Sequence, residues 1–195
     1  GLGSAIRSAV NQHSENAYAG YVAWRGLIPE TRLPADAALL LDRFAFYITS
    51  GIHVLGYLVP GSRGETRQGQ RRYNWVWYRP TPAEDLARTF TGRDGRHFEH
   101  SLPRGELSGS RRAQLREEAF SLLPSQMALA VDVEETPSIQ GIFDYEAEHM
   151  VSQRIALVGD AAFVVRPHTA MGVSKAAGDA MALRDALRQT DDLPA

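Results

Sequence analysis

Four segments between residues 18 and 78 alternate between two faces and are rich in aromatic and β-branched side chains. Alternation with a period of two is typical of β-strands that bury one face. Turn signals separate the segments, including Ser50-Gly51 and a polar, glycine-rich loop over residues 61–70. We therefore predict an antiparallel meander with one covered face. Its strands are predicted over residues 18–28, 43–48, 52–59 and 73–78.

Helical segments follow this strand-rich part. The sequence predicts helices over 81–90, 111–123 and 125–134, the last two broken at Pro124 because proline cannot continue a helix. A short helix capped by Ser4 is predicted near the start, an irregular loop over 92–110 and a strand over 140–149. An apolar run at 154–158 predicts a buried strand, and an alanine-rich segment at 171–187 predicts a helix. The expected fold class is α+β, with a sheet domain followed by a strand-loop-helix unit.

Composition excludes several classes of function. The 195 residues carry a net charge of -2, whereas dedicated nucleic-acid binders are usually strongly basic. The chain has no cysteine, which excludes disulfides, thiolate metal sites and cysteine nucleophiles. No apolar run approaches the roughly 20 residues that a membrane span needs. His97 and His100 have no third ligand in a metal-binding pattern, so we expect no metal site.

The stretch from residue 154 to residue 187 carries the chemistry. A strand that ends in Gly159-Asp160 and leads into a helix near Gly172 would bring a carboxylate close to a helix N-terminus. A glycine allows a ligand to approach the backbone, and the helix start favours an anion or a polarised carbonyl. Asp160 would accept hydrogen bonds from hydroxyl groups of the sugar type. The alternative is a plain strand-turn-helix unit in which Asp160 only caps the next element.

This stretch resembles the second flavin-binding motif of the FAD-dependent aromatic-ring hydroxylases. The resemblance implies that Asp160 binds the ribityl chain of FAD next to Gly159. It also implies that the loop from Pro167 to the helix start lies beside the pyrimidine edge of the flavin, through Ala170, Met171, Gly172 and Val173. The matching residues are Gly159, Asp160, Ala161, Ala162, Pro167, Gly172, Asp179 and Ala180.

A second match lies at the start of the chain, where Gly1, Ser4 and Arg7 resemble the tail of the family's Asp-Gly motif. The segments YAGYVAWRG (18–26) and RPHTAMG (166–172) resemble in particular the branch of the dihydroxypyridine hydroxylases. The family's N-terminal Gly-x-Gly-x-x-Gly unit has no match here, so we expect the chain to be the central part of a longer protein. The expected domains are 1–15 (end of the first FAD portion), 16–150 (substrate-binding sheet) and 151–195 (returning FAD portion).

The resemblance implies a cytoplasmic monooxygenase that uses FAD, NAD(P)H and O2 to hydroxylate an aromatic or N-heteroaromatic, hydroxypyridine-like substrate. A homodimer is compatible with it, and neither a nucleic acid nor a membrane is an expected partner. The rival hypothesis is a non-catalytic module that binds a planar aromatic ligand, with an incomplete cofactor site.

Candidate substrate-binding residues are less defined. His168 follows Pro167 in the flavin loop, and one alternating set on the aromatic strand is expected to reach the substrate. That set is either Trp75 and Trp77 or the neighbouring Asn74 and Val76. His97 and His100 are the candidates for a proton-transfer residue, as is His53 on its strand.

Overall fold

The computed structural model describes residues 1–189, and it confirms the α+β class. The strands are β1 (Ala17–Pro29), β2 (Ala45–Thr49), β3 (Ile52–Val59), β4 (Arg72–Pro80), β5 (Ser101–Leu102), β6 (Ser138–Asp144), β7 (Val151–Ser152) and β8 (Ile155–Ala156). The α-helices are α1 (Leu86–Thr89), α2 (Gly109–Leu122), α3 (Ser125–Asp132) and α4 (Gly172–Gln189). Short 3₁₀ helices cover Arg7–Ala9, Glu30–Arg32, Ala35–Leu40, Ala83–Asp85, Gly159–Ala161 and Pro167–Thr169.

The main sheet has six strands in the order β2-β3-β4-β1-β6-β5. The four predicted strands exist, but the predicted meander is wrong at its first step, because β1 pairs with β4 and not with β2. The segment between β1 and β2 contains two 3₁₀ helices and carries the chain to the far side of β3 and β4. The antiparallel register sets Trp24 opposite Trp77 and Gly26 opposite Trp75.

One face of the sheet is the core of residues Gly20–Gly141. Trp24, Val54, Trp75 and Trp77 share this face, because directly paired residues point to the same side. The indole of Trp75 lies against Gly26, where a Cβ atom would come within 2.2 Å of the ring. A glycine on β1 is therefore what allows the large ring of β4 to cross its neighbouring strand.

Helices cover this tryptophan face. Arg79 stacks on Trp77, with its guanidinium carbon 4.6 Å from the ring centroid, and forms an ion pair with Glu118 of α2. The Ser108 hydroxyl caps α2 by accepting a hydrogen bond from the Arg111 N–H. Pro124 separates α2 from α3, as the sequence predicts. The predicted helix over 81–90 is a 3₁₀ turn that continues into the four residues of α1.

The edge strand β2 of the main sheet carries apolar side chains that are exposed to solvent. Phe44, Phe46 and Ile48 are exposed, and they lie at alternate positions of one strand face. Phe44 stacks on Phe46 and on Tyr57 of β3, with ring centroids 4.9 and 4.5 Å apart. This edge is therefore both apolar and open to solvent.

The chain divides into two compact units, which we call the sheet unit (Gly20–Gly141) and the terminal unit (Gly1–Ala19 with Ile142–Ala195). In the terminal unit, the predicted strand over 154–158 is wrong in extent. Only Ile155–Ala156 are strand, and within the described residues they pair with β7 alone. Ser4 also does not cap a helix with its side chain, since the first helical turn begins at Arg7 after Ile6. The domain boundaries expected from the sequence stay a prediction about the longer protein.

Candidate functional site

The Gly159-Asp160 turn is fixed by its contacts with α4. Gly159 has φ +59°, a left-handed conformation that favours glycine. Its N–H donates a hydrogen bond to Asp179 Oδ2 over 2.8 Å, and its carbonyl accepts one from Lys175 Nζ over 3.3 Å. A Cβ atom at this position would lie 3.2 Å from the Cβ of Ala176. The turn therefore lies directly against the helix, where the conformation favours glycine and a Cβ atom would make a tight contact with Ala176.

Lys175 and Asp179 form the ion pair that orients this contact. Lys175 Nζ lies 2.5 Å from Asp179 Oδ2, one helical turn away. The hydrogen bond from Lys175 holds the pKa of Asp179 below its usual value, and the Gly159 N–H lowers it further. Asp179 entered the sequence analysis only as a motif match, and its role as the acceptor for the turn was missed. The i,i+4 spacing of the chain's single lysine and this aspartate was the available signal.

Arg7 holds the other side of the same turn. Its guanidinium donates to the carbonyl oxygens of Asp160 (2.5 Å) and Ala161 (2.9 Å) and to Asn16 Oδ1 (2.6 Å). The guanidinium carbon lies 3.6 Å from the ring centroid of Tyr145. Arg7 is only 1% exposed, and burial lowers its pKa. The sequence matched Arg7 to the Asp-Gly motif but did not predict that it binds the Gly159-Asp160 turn.

These contacts occupy the backbone of the turn and leave the Asp160 carboxylate exposed. The Arg7 guanidinium lies close enough for its charge to interact with that carboxylate. A fixed, solvent-facing carboxylate is suited to accept hydrogen bonds from the hydroxyl groups of a ligand. Asp160 is not the N-cap of the 3₁₀ turn Gly159–Ala161, because the residue before that turn is Val158.

The loop between this turn and α4 borders a cavity of about 570 Å³ within the terminal unit. Pro167 begins a 3₁₀ turn that Ala170 ends in a left-handed conformation (φ +55°). His168 lines the cavity, as does Tyr145, whose buried hydroxyl has no hydrogen-bond partner among residues 1–189. The other lining residues are His13, Glu15, Ala17, Asp144, Glu146, Phe163, Val164, Val165, Arg166 and Thr169.

The start of α4 is apolar and open. Gly172 is the first residue of the helix, and the flanking Met171 and Val173 are 53% and 85% exposed. Large exposed apolar side chains beside free helical N–H groups suit a ligand with a flat apolar body and a polar or anionic edge. This is the part of the loop that the sequence assigns to the flavin.

Trp75 and Trp77 lie in the core of the sheet unit. They are 2% and 1% exposed, because alternation turns both rings toward the face covered by α2. Their burial gives no support to the prediction that they line a substrate pocket. The alternative set lies on the opposite face, where Asn74 is half-buried and Val76 is buried.

Two of the candidate histidines, His97 and His100, belong to the sheet unit. His97 is exposed and its backbone forms an isolated bridge with Thr91, while His100 is half-buried near Glu99. Among residues 1–189 no group of three or more potential ligands could hold a metal ion. No helix in that range is long and apolar enough to cross a membrane.

Comparison with known families identifies the type of chain. A family model described as FAD binding domain-like matches residues 18–144, well over half of the sequence. The chain belongs to this FAD binding domain-like family. The matched range contains the main sheet and its helices, and it ends before the Gly159-Asp160 turn.

Proteins similar to this FAD binding domain-like chain include some that are named monooxygenases or hydroxylases. The 2,6-dihydroxypyridine 3-monooxygenase of Paenarthrobacter nicotinovorans is 28% identical over 180 residues, which cover 92% of this chain and 45% of that enzyme. The solved 2,6-dihydroxypyridine-3-hydroxylase from Arthrobacter nicotinovorans matches with a TM-score of 0.81 at 28% identity, over 91% of this chain and 45% of that one. A salicylate hydroxylase substrate complex matches in fold, with a TM-score of 0.60 and 18% identity over 88% and 40% of the two chains. The chain therefore spans less than half the length of these relatives.

Proposed function

We propose that the protein carrying this chain is an FAD-dependent monooxygenase that hydroxylates a hydroxylated aromatic or N-heteroaromatic ring. In the overall reaction, NAD(P)H, a proton and O2 convert a ring C–H into C–OH, with NAD(P)+ and water as the other products. The observation that carries the proposal is the Gly159-Asp160 turn, whose backbone is held on both sides while its carboxylate stays exposed. Membership of the FAD binding domain-like family adds to it.

The residues of the terminal unit fit one part of FAD. Asp160 would accept hydrogen bonds from the ribityl hydroxyls, close to the backbone of Gly159. Pro167, Ala170, Met171, Gly172 and Val173 would lie along the pyrimidine edge of the ring system. The unpartnered Tyr145 hydroxyl offers a further polar contact at the neighbouring cavity. Bound FAD would supply the oxygen activation that no amino-acid side chain provides.

The chain's own residues contribute binding and electrostatics. The free N–H groups at the start of the 18-residue α4 favour negative charge on a group beside Gly172. The exposed side chains of Met171 and Val173 would pack on a flat ring and exclude water from it. Arg7, Lys175 and Asp179 act as positioning residues, because they set the turn and do not face the ligand.

A hydroxypyridine-like substrate is the finer part of the proposal. It is supported by 28% identity to a 2,6-dihydroxypyridine 3-monooxygenase, of which the chain covers less than half. NAD(P)H as the electron donor, a cytoplasmic location and a homodimeric state follow from the same analogy and need separate measurement. His168, at the cavity beside the flavin loop, is the proposed substrate-side residue of the terminal unit.

The test compares two aspartates of the terminal unit in the protein that contains the whole cofactor site. Asp160→Ala removes the exposed carboxylate of the turn, and Asp185→Ala removes an exposed carboxylate of α4 that bonds to Arg184. Hydrogen bonds to a charged group contribute about 1.5–3 kcal/mol, so Asp160→Ala should weaken FAD binding by about ten- to a hundredfold. Asp185→Ala should leave FAD affinity unchanged.

Substrate turnover completes this test. With FAD, NAD(P)H and isotopically labelled O2, 2,6-dihydroxypyridine should gain one labelled oxygen atom. Equal FAD affinity in the two variants would remove the role of Asp160, and a protein that consumes NAD(P)H without labelled product would contradict the monooxygenase activity.

A ligand-binding module without catalysis is the second candidate. It is favoured by one observation, namely that the 195 residues contain no Gly-x-Gly-x-x-Gly segment that follows a strand to bind a pyrophosphate. Under this alternative, a planar phenol binds the chain while FAD does not. Titration of the chain with each ligand distinguishes the two functions.

A further inference from the structure

A cavity of about 340 Å³ opens in the sheet unit, between the tryptophan face of β1 and β4 and helix α2. Its size is at the lower end of the range for small-molecule sites. All of its lining residues belong to the sheet unit, and none of them lines the cavity beside Pro167. Arg111 of α2 lies in its lining, and we call it the Arg111 cavity.

The charged side chains that line this cavity do not cancel. Glu118 forms an ion pair with Arg79, and Asp85 accepts a hydrogen bond from Arg88 over 3.0 Å. Arg111 forms no ion pair within residues 1–189, and no acidic residue affects its pKa. The three arginines and two carboxylates of the lining therefore leave one positive charge, which a single anion would balance.

Arg111 is fixed in position without being neutralised. Its Nη2 atom donates a hydrogen bond to the Thr89 carbonyl over 2.9 Å, and its Nη1 atom donates one to the Thr91 carbonyl over 3.1 Å. Its other N–H groups have no acceptor in the part of the chain that the structure describes. Burial lowers the pKa of this guanidinium, and the nearby charge of Arg88 lowers it further. Because the side chain is already held, an anion that binds it costs little side-chain entropy.

Arg88 can supply a second guanidinium to the same anion. Its side chain is 81% exposed, and its partner Asp85 lies three residues earlier in the chain. Exposed ion pairs of this kind contribute about 0–1 kcal/mol, so Arg88 can turn toward a ligand at small cost. An anion near both guanidinium groups would also reduce the repulsion between Arg88 and Arg111.

Part of the lining is apolar and includes Trp24, Pro82 and Leu115. The guanidinium of Arg79 lies over Trp24, with its carbon atom 5.7 Å from the ring centroid, and its ion pair with Glu118 holds it there. A compact apolar group placed against these side chains would be removed from water, which stabilises the bound state.

From this arrangement we infer that the Arg111 cavity binds a small monocarboxylate with a compact apolar body. The fork of Arg111, assisted by Arg88, recognises the carboxylate, and the apolar body lies against Trp24. Guanidinium and carboxylate groups match in geometry, and a carboxylate carries the one negative charge that the lining lacks. Asp85 and Glu118 disfavour a second negative charge on the ligand, because their carboxylates belong to the same lining. The inference goes beyond the proposed function, since it assigns a further ligand to the chain.

The experiment uses cyclohexanecarboxylate, with uncharged cyclohexanecarboxamide as the ligand of the same shape and inorganic phosphate as the dianion. Each is titrated at neutral pH into the whole chain labelled with 15N, and the indole N–H signals of the three tryptophans are followed by NMR. Trp24 lines the cavity, whereas Trp75 and Trp77 do not. The variant Trp24→Phe identifies which of the three signals belongs to Trp24.

Three variants test the two guanidinium groups. Arg111→Gln and Arg88→Gln each remove one charge, and Arg111→Lys keeps the charge but loses the fork. Arg93→Gln changes an exposed arginine of the same unit that does not line the cavity, and it is the matched control. Far-ultraviolet circular dichroism establishes that each variant is folded. Arg88→Gln and Arg111→Lys keep the test valid if Arg111→Gln does not fold.

In the wild-type chain, cyclohexanecarboxylate should shift the Trp24 signal and saturate at about millimolar concentration, as expected for so small a ligand. The carboxamide should bind at least about tenfold more weakly, and so should the carboxylate to Arg111→Gln, because a hydrogen bond between charged groups is lost. Arg111→Lys and Arg88→Gln should weaken carboxylate binding by about two- to fivefold. Arg93→Gln should stay within about twofold of wild type.

Four results overturn the inference. The first is the absence of a saturable shift of the Trp24 signal with cyclohexanecarboxylate. The second is equal affinity for the carboxylate and the carboxamide, and the third is unchanged carboxylate affinity in every folded variant of Arg88 and Arg111. The fourth is tighter binding of phosphate than of cyclohexanecarboxylate, which would show that the cavity selects charge and not an apolar body. None of these measurements depends on FAD or on turnover.

Discussion

Different interactions stabilise the interior of the sheet unit and the interior of the terminal unit. In the sheet unit, large apolar side chains such as Trp75, Trp77 and Phe90 are almost fully buried. In the terminal unit, the buried apolar residues are Ile142, Phe143 and Tyr145 and a small cluster of Leu157, Ala161 and Ala162.

In the terminal unit, Arg7, Asn11 and Asp179 bond to backbone groups that are distant in sequence. The sheet unit also has polar side chains of this kind, such as Glu134, which accepts a hydrogen bond from the Leu27 N–H, but there they accompany a larger apolar core.

This difference matches what each region must provide. Burial of apolar surface is strong but non-directional, so by itself it stabilises the sheet unit without defining the position of a polar atom. Hydrogen bonds and ion pairs contribute less net free energy, but they define distances and angles. The terminal unit uses them to set the backbone at Gly159-Asp160. Stability and the geometry of the candidate cofactor site are therefore separable by mutation.

The largest expected effect is in the tryptophan core. Trp77→Ala removes a buried indole and leaves a cavity, so it should lower the free energy of unfolding of the sheet unit by about 3–5 kcal/mol. Urea unfolding followed by tryptophan fluorescence measures this directly, because all three tryptophans, Trp24, Trp75 and Trp77, lie in the sheet unit.

Phe46→Ala is the control for this core variant, since Phe46 is exposed on the edge strand. It should change stability by no more than about 0.5 kcal/mol. If Trp77→Ala kept wild-type stability but lost affinity for an aromatic ligand, Trp77 would be a substrate contact, which is one of the two alternatives from the sequence. The contrast between the stabilising forces of the two units would then be weaker.

A smaller but more local effect is expected at Arg7. Arg7→Met keeps much of the side-chain volume but removes the donors to the carbonyls of Asp160 and Ala161. Unsatisfied buried groups cost about 1–3 kcal/mol, so the loss should open the 159–162 turn. Hydrogen exchange should speed up at the amides of the terminal unit and remain unchanged in the sheet unit. Arg188→Met, at an exposed position of α4, is the control.

Uniform faster exchange over both units in Arg7→Met would mean that the two units unfold as one. Unchanged exchange at residues 159–162 would mean that Arg7 does not hold the turn. Either result would contradict the separation of stability from site geometry.

The smallest expected effect is a pH dependence at Asp179. Because Lys175 and the Gly159 N–H hold its folded pKa below 3.8, its stabilising contribution is present above pH 3.8. That contribution is lost as the pH falls through the folded pKa. In Asp179→Asn, the terminal unit should be less stable at neutral pH, and the stability difference from wild type should shrink in acid.

Asp185→Asn, on the same helix but bonded to Arg184 alone among residues 1–189, should show no such pH-dependent difference. Hydrogen exchange of the Gly159 region at neutral and acidic pH gives the measurement. A constant difference between wild type and Asp179→Asn at every pH would show that the Lys175 pair does not depend on ionised Asp179.

Local patterns in the sequence predicted the elements better than their arrangement. Alternation located β1, β3 and β4, and Pro124 located the break between α2 and α3. The place of β1 beside β4 depends on pairing across distant residues, with Trp75 fitting against Gly26. No local pattern encodes such a fit. The length of β8 is likewise set by its pairing with the two residues of β7, and the apolar composition of residues 154–158 does not encode that pairing.

The sequence predicted the motif residues of the candidate site. It did not predict the residues that hold the Gly159-Asp160 turn in place. Gly159 and Asp160 were singled out from residue type and resemblance. The parts played by Arg7 and Lys175 arise from contacts that span 154 and 16 residues of the chain. Asp160 and the flavin loop as FAD ligands stay predictions, as do His97, His100 and His168 in their proposed roles.

The open edge at β2 has a consequence for handling the protein. An edge strand offers unpaired backbone groups, and here Phe44, Phe46 and Ile48 add exposed apolar surface beside them. Two copies that meet at this strand would gain both backbone pairing and apolar contact, so concentrated samples should self-associate. Phe46→Lys would place a positive charge where the two β2 strands meet. It is the first substitution to try for a sample that stays monomeric during purification and crystallisation.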